Sequence, residues 1–354
     1  MTTSILIQAE ALRQFCIAAF EHTGLSAEDA AAVADTLVEA DLRGVHSHGT
    51  WWTLTYTQRL REGGANPRPD FRVVTETSAM AVLDADRALG QIAGITAMRR
   101  AIQKAKTCGI GVVSVRNSNH FGAAAYYALM AAQAQQIGFA VSDAEPSMAP
   151  WGGTKAVVGN NPLAYAIPTT GDFNIVLDMA LSVMAWGKIF LAAKRNEKIP
   201  STWALNPAGE STEDPNEAMA GLLLPVGEYK GYGLALVMEV LSSVLAGATF
   251  GLSVVPMADA SVAQDVGHFF MAIDIDHFMP QIEFQQRMDT LIQEHRDVPR
   301  RPGVERIYLP GEIEHLKRVE RLKSGIPLDP YVVEGLTRLG QELQLDTSGL
   351  QITA

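Results

Sequence analysis

Between residues 91 and 141 the chain alternates helix and strand, and that alternation decides the fold class. Residues 91–106 carry Ile92, Ile95, Met98, Ile102 and Ala105 at helical spacing, and Gly109 stands where such a helix stops. Residues 110–115 form a short apolar run of strand length. The loop Asn117-Ser118-Asn119-His120-Phe121-Gly122 follows, then a helical stretch at 123–135 and a second strand at 137–141. Strand, loop, helix and strand in that order predict an α/β domain. A dinucleotide site in such a domain is usually marked by G-x-G-x-x-G. This chain has none: Gly109-Ile110-Gly111 and Gly231-Tyr232-Gly233 both lack the third glycine. The expected fold is α/β but not a Rossmann fold.

The flanks fit around this unit. Helices are expected at 8–21, with Leu12, Phe15, Cys16, Ala19 and Phe20 on one face, and from Ser26 to about Gly44, with Ser26 and Asp29 as a weak capping box. Strands are expected near 81–83, 164–167, 174–177, 268–273 and 306–309. Residues 233–246 read as a helix apolar on all sides, suited to a core or a subunit interface. From about Pro280 the chain returns to helices.

Bulk properties narrow the function. A length of 354 residues corresponds to about two domains. The formal charge of −11 disfavours nucleic acid as a partner, though a locally positive pocket can still take an anionic small molecule. No run of about 18 uncharged apolar residues predicts a membrane span. Residues 1–11 carry Glu10 and no basic segment, so no signal peptide is expected. Cys16 and Cys108 have neither disulfide nor zinc spacing and read as reduced thiols. A cytoplasmic enzyme is the expectation.

Four places can carry chemistry. His48, in Val45-His46-Ser47-His48-Gly49, can serve as a proton donor or acceptor near neutral pH. If this segment is extended, His46 and His48 share a face. Both can equally be ordinary loop histidines. His120 follows a strand, where open α/β sheets bind ligands, among asparagines and a serine that are good helix caps. Asp178, at a strand end, can hold a ribose hydroxyl, orient a histidine, or cap a helix. Lys230-Gly231 opens a helix and suits a phosphate, or is a plain junction. The eight histidines show no metal-binding spacing, and no catalytic metal is expected.

Taken in order, eight segments resemble the malate/L-lactate dehydrogenase family, which is distinct from the classical lactate and malate dehydrogenases. They are Arg43 to Gly49, Asn117 to Gly122, Ala149 to Gly153, Gly159 to Pro162, Asp178-Met179-Ala180, Lys230 to Gly233, Gly267 to Phe270 and Pro310-Gly311-Glu312. The resemblance implies a nicotinamide-binding domain with a mixed sheet at 76–279, and a partly helical domain made from 1–75 and 280–354. It implies a homodimer that uses NAD or NADP. It makes His48, and in some members His120, the catalytic acid/base, with Ser47 beside it and Tyr56 lining the substrate pocket. Cofactor contacts are implied for Asp178, Met179, Ala180, Lys230, Gly231, His268, Phe269, Phe270, Gly311, Glu312 and Ile313.

The reaction implied is hydride transfer between nicotinamide and a small 2-hydroxy or 2-oxo acid. One rival is reduction of a cyclic imino acid such as piperideine- or pyrroline-2-carboxylate. Another is a silent binding protein. The departures bear on substrate. The family usually places an arginine four residues after the Ser-His histidine, to fork onto the substrate carboxylate; here that position is Trp52. Arg43, Arg59 or Arg61 takes over, or the substrate is not a simple carboxylate and Trp52 stacks on it. A hydroxyl is lost at Leu181, an asparagine replaces the usual threonine at Asn160, and Ala144 stands where some members have serine.

Overall fold

The computed structural model describes residues 4–350. Residues 1–3 and 351–354, the outer ends of the expected helical unit, lie outside them.

The chain opens with strand β1 (Ile5–Ile7) and helices α1 (Ala9–His22) and α2 (Ala27–Leu42). The predicted stripe of α1 is buried, as are Val33 and Leu37 of α2, on which α1 packs. Ser26 Oγ accepts from Asp29 N at 3.1 Å and donates to the Asp29 carboxylate at 2.6 Å, which closes the capping box. A 3-10 turn at His46–His48 leads into α3 (Trp52–Glu62). The central unit follows: β2 (Arg72–Glu76), β3 (Met80–Ala88), α4 (Gly90–Cys108), β4 (Ile110–Ser118), α5 (Ala124–Gln133) and β5 (Gln136–Ser142). A ribbon of β6 (Pro146–Met148) and β7 (Val158–Gly159) precedes β8 (Leu163–Ile167) and β9 (Ile175–Met179). Next come α6 (Trp186–Lys194), β10 (Ala204–Leu205), α7 (Pro215–Ala220), β11 (Leu222–Leu223) and α8 (Tyr229–Glu239). The chain closes with β12 (Val266–Asp274), α9 (Gln281–Asp297), α10 (Glu312–Ser324), β13 (Ile326–Leu328) and α11 (Pro330–Glu342).

Seven strands form one mixed sheet in the order β2-β3-β4-β12-β5-β8-β9. Only the β3–β4 pair is parallel among the described residues. Because β12 is antiparallel to both β4 and β5, and β8 to both β5 and β9, the strands β3, β4, β5 and β9 all run one way. Their carboxyl ends, at Ala88, Ser118, Ser142 and Met179, share one edge of the sheet. One face is covered by α4, α5 and the terminal helices in a single apolar core. The other packs a smaller core around Phe139, Val141, Ile189 and Phe269. The two chain ends meet where β1 pairs with β13, α10 lies on α2 and α11 lies on α3. The expected domain boundary at residue 75 falls inside β2, which pairs with β3 in the sheet.

Two expectations are corrected. Residues 304–309 form no strand. A strand needs a neighbour for its polar groups. Here the buried Glu312 carboxylate takes Leu309 N at 3.0 Å and the Arg306 side chain instead. The helix expected at 233–246 begins at Tyr229 and turns π-helical at Val240–Val244, with Leu245 N bonded to Val240 O at 2.8 Å. Ser243 in this widened turn reaches Asp143 at the end of β5, 2.8 Å away. The outer face of the helix is left uncovered, with Leu236, Val237, Val240, Val244 and Leu245 between 44% and 58% exposed.

Candidate active site

The shared carboxyl edge is where an open α/β sheet binds ligands. His120 sits there, two residues beyond β4. Its loop is pinned from both sides. Asn119 is buried; its amide donates to Arg87 O and Ala88 O at 2.9 Å, and its Oδ1 accepts from Arg59 at 3.0 Å. Gly90 starts α4 directly against the loop: a Cβ there would lie 2.1 Å from Asn119 O, so no other residue fits.

His120 Nδ1 is 2.7 Å from the hydroxyl of Tyr56, which α3 buries completely. His48 Nδ1 is 3.0 Å from Ser47 Oγ. The two imidazoles face each other, ring centres 5.7 Å apart and planes 22° from parallel. No hydrogen bond among the described residues engages Nε2 of either ring. Both rings are open at the mouth of the site but crowded by protein. Burial pushes His48 down to about 4. Burial, with His48, His268 and Arg59 adding to it, pushes His120 down to about 3. Near pH 7 the site therefore presents two neutral imidazoles, each anchored at Nδ1 and free at Nε2.

His46 does not join them. The segment is a tight 3-10 turn and not extended, and it sends His46 the other way, to Asp41. That carboxylate is 1% exposed. It accepts from His46 Nδ1 at 2.7 Å, Thr50 N at 2.8 Å and Thr50 Oγ1 at 2.7 Å. Arg321 caps the far side, 3.1 Å from His46 Nε2 and 2.5 Å from Asp41 O. The turn is packed so tightly that a Cβ at Gly49 would lie 2.0 Å from Asp41 Oδ1.

Trp52 forms one wall. Its ring stacks on Tyr56 (5.7 Å) and leans on His120 (4.9 Å). Its Nε1 donates to Ser47 O at 2.7 Å, as does Trp51 at 3.2 Å. Helix α6 approaches opposite: a Cβ on Gly187 would sit 3.9 Å from Ser47 Cβ. None of the three candidate replacement arginines offers a free fork. Arg59 is fully buried and spends its guanidinium on Asn119, Asp259 O and Val262 O. Arg61 pairs with Glu342 at 2.6 Å and Arg43 with Glu39 at 2.8 Å.

The expected cofactor residues divide into open and sealed. Asp178 faces solvent at the edge while its Oδ2 accepts from Ala125 N at 3.0 Å, so it caps the start of α5 across the sheet. Crowding by protein nevertheless pushes its carboxyl up to about 6. Met179 and Ala180 are half-buried beside it. Lys230 is exposed in the first turn of α8, and Gly231 packs where a Cβ would meet Val226 O at 1.9 Å. Gly311, at φ 84°, lets α10 begin against Val176 of β9, and Ile313 is exposed. An exposed lysine at a helix N-terminus and an open carboxylate on one edge fit the phosphates and ribose hydroxyls of a dinucleotide.

His268, Phe269, Phe270 and Glu312 are buried instead. On this strand of alternating faces Phe269 points into the smaller core and Phe270 into the larger one. His268 lies 2.9 Å from both Ser142 Oγ and Ser118 Oγ and stacks on Phe121 at 4.9 Å. Glu312 is held by Arg296 and Arg306.

Three residues carry no signal in the sequence and emerge only here: Asp41, Asn119 as an anchor, and Asp143. Asp143 is 3% exposed. Burial pushes its carboxyl up to about 7, and Glu239 adds to that rise against hydrogen bonds from Ser243 and Ala144 N.

Known proteins match this arrangement over nearly the whole chain. Malate dehydrogenase of Pyrococcus abyssi is 40% identical over 356 aligned residues, covering 98% of this chain and 97% of that protein. The NAD(+) ureidoglycolate dehydrogenase of Escherichia coli K12 is 37% identical over 323 residues, covering 91% and 92%. The solved structure of sulfolactate dehydrogenase from Methanocaldococcus jannaschii superposes with a TM-score of 0.91 at 38% identity, covering 97% and 98%. Residues 7–337 match the family described as malate/L-lactate dehydrogenase. The chain belongs to the malate/L-lactate dehydrogenase family.

Proposed function

We propose that the protein transfers a hydride between a nicotinamide coenzyme and C2 of a small 2-hydroxy or 2-oxo acid, with His120 moving the proton and His48 beside it. The observation that carries this reading is the pair of neutral imidazoles with unengaged Nε2 atoms at the carboxyl edge of the sheet. Bound NAD or NADP supplies the hydride acceptor or donor. His120 Nε2 takes the hydroxyl proton as the hydride leaves C2, and returns it in reduction. His48 Nε2 hydrogen-bonds the same oxygen or its neighbour, with Ser47 fixing its ring. Asp178 suits a ribose hydroxyl and Lys230 a phosphate, while Met179, Ala180, Gly231, Gly311 and Ile313 offer backbone or apolar contact. His268, Phe269, Phe270 and Glu312 act from behind as support. In this reading the sheet unit, about 76–279, holds the coenzyme and the segments from both chain ends carry His48, Trp52 and Tyr56. The two free thiols suit work in the cytoplasm.

Trp52 shapes the choice of acid. With the nearby arginines committed, an acid bearing an apolar or aromatic group meets a matching wall. The test is a scan of 2-oxo acids and cyclic imino acids with NADH and NADPH, run on wild type and Trp52→Arg. Wild type is expected to prefer acids with an apolar or aromatic far end. Trp52→Arg is expected to gain about tenfold or more on dicarboxylic acids, as a new charge-assisted fork provides. Turnover of cyclic imino acids alone contradicts the hydroxy-acid reading, and no gain in the variant places the carboxylate elsewhere.

The working unit is a homodimer joined through the uncovered face of α8 and its π-helical extension. An apolar patch of this kind on a single chain marks an interface. Light scattering should give a dimer for wild type and a monomer for Val240→Glu/Val244→Glu. A monomeric wild type contradicts the assignment.

A further inference from the structure

Helix α6 stands across the site from the turn that carries His48, and its second residue is Gly187. Fold geometry asks for glycine in two cases: a backbone conformation that other residues avoid, or a neighbour too close for a Cβ. Neither applies at 187. The residue is helical, with no positive φ. Outside its own helix, the one heavy atom within 4 Å of an added Cβ among the described residues is Ser47 Cβ, at the 3.9 Å of ordinary contact. Elsewhere the crowded case is plain: at Gly90 and Gly231 a Cβ would lie 2.1 Å and 1.9 Å from a backbone oxygen. Alanine would support the helix better than glycine does. What glycine adds at 187 is open space in front of Ser47.

That space has two apolar sides. Ile189, two residues on and about 200° round the helix, is fully buried in the smaller core. Gly187 therefore sits on the side of α6 turned away from that core. Phe190 and Leu191, three and four residues further, share its side; Leu191 is exposed and Phe190 is half-buried. The entry to the helix is fixed, since Val183 N bonds to Leu224 O at 2.8 Å and Ser182 Oγ donates to Met184 O at 2.9 Å. Trp51 and Trp52 close on the same residue that Gly187 meets: both donate Nε1 to Ser47 O. Ser47 is thus where α6 and the tryptophan wall come together, and its Oγ is 3.0 Å from His48 Nδ1.

We propose that Gly187 is a specificity-determining residue. Its bare Cα widens the slot between α6 and the tryptophan wall. The carbon chain of a 2-oxo or 2-hydroxy acid lies in that slot while its C2 oxygen reaches the two imidazoles. This rests on the dehydrogenase reading of the site. A side chain at 187 takes room from the acid in proportion to its size. One methylene of fit in an apolar pocket is worth about 10–200-fold in selectivity, so even a methyl at 187 is readable. The acids that need the slot are those with an apolar chain beyond C3. Glyoxylate, with no chain, does not.

The experiment measures kcat/KM of the whole chain, at saturating coenzyme, for glyoxylate, pyruvate, 2-oxobutanoate and 2-oxopentanoate. The ratio for 2-oxopentanoate over glyoxylate should fall about tenfold in Gly187→Ala and about a hundredfold in Gly187→Val. Coenzyme affinity, read by fluorescence titration, should stay the same. The Tm of Gly187→Ala should equal or exceed that of wild type, because the helix gains. An equal loss on every acid, a weakened coenzyme affinity, or an unchanged ratio in both variants would each overturn the inference. Gly187→Ala, whose Cβ meets nothing closer than 3.9 Å outside its own helix, carries the test if the valine variant fails to fold. A wild type that binds coenzyme but turns over none of these acids is a different failure: it removes the dehydrogenase reading, on which the slot depends.

Discussion

Replacing His120 by alanine is expected to lower kcat by two to four orders of magnitude, the usual range for losing a positioned acid/base (about 10²–10⁴-fold). The ring is held at Nδ1 by Tyr56 and backed by Trp52, which leaves Nε2 unengaged. Nothing else in reach has the same chemistry except His48, whose ring centre is 5.7 Å away. His48→Ala should cost about a hundredfold or more for the same reason. Coenzyme binding should survive both changes, because Asp178 and Lys230 lie on other elements. The pH dependence carries a sign. Protonation silences a base, and burial holds the two histidines at about 4 and about 3. The acid limb of kcat/KM for oxidation should therefore fall well below the usual histidine value of about 6.5. Near-normal turnover in His120→Ala removes it from the role.

Asp41→Ala should be the most damaging single change away from the reacting atoms. It strips the acceptor from His46 Nδ1, Thr50 N and Thr50 Oγ1 at once, in a pocket that is 1% exposed. Leaving buried donors unpaired costs about 1–3 kcal/mol each, so a loss of about 3 kcal/mol or more is expected, read as a lower Tm or denaturation midpoint. Activity should fall as well, because the same carboxylate locks the turn that carries Ser47 and His48. Asp41→Asn should recover only part. Its amide keeps one accepting oxygen for Thr50 but turns an NH2 toward His46, whose other nitrogen already faces Arg321. An unchanged midpoint in Asp41→Ala would show that the turn holds itself.

Much of this architecture is legible from periodicity. The α1 stripe is buried where α1 packs on α2, the α4 stripe is buried on the sheet, and the β4 and β5 runs lie within the sheet itself; burial is what sets such patterns. The positions of His48 and His120 also follow from a helix end and a strand end. Their meeting does not, since the contact that fixes His120 to Tyr56 joins residues 64 positions apart. Local backbone geometry is equally silent in the sequence. Two histidines separated by one serine look alike in an extended segment and in a 3-10 turn, and the buried Asp41 decides between them. Residues 306–309 carry the apolar and aromatic run Ile307-Tyr308-Leu309 of a short strand, but composition cannot reveal whether a neighbour exists to pair with. His268 reads as a ligand-binding histidine because its burial depends on strands β4 and β5 closing over it. Gly187 has no pattern at all; only the open space beside Ser47 in the finished fold makes it visible.

The most direct test of hydride transfer is to supply NADH and NADPH carrying deuterium at C4 with a panel of 2-oxo acids and to look for the label by mass spectrometry. Deuterium at C2 of a 2-hydroxy acid product, from at least one coenzyme, is the predicted result. Tight coenzyme binding with label in no product from 2-oxo or cyclic imino acids would contradict the assignment of this edge as a dehydrogenase site.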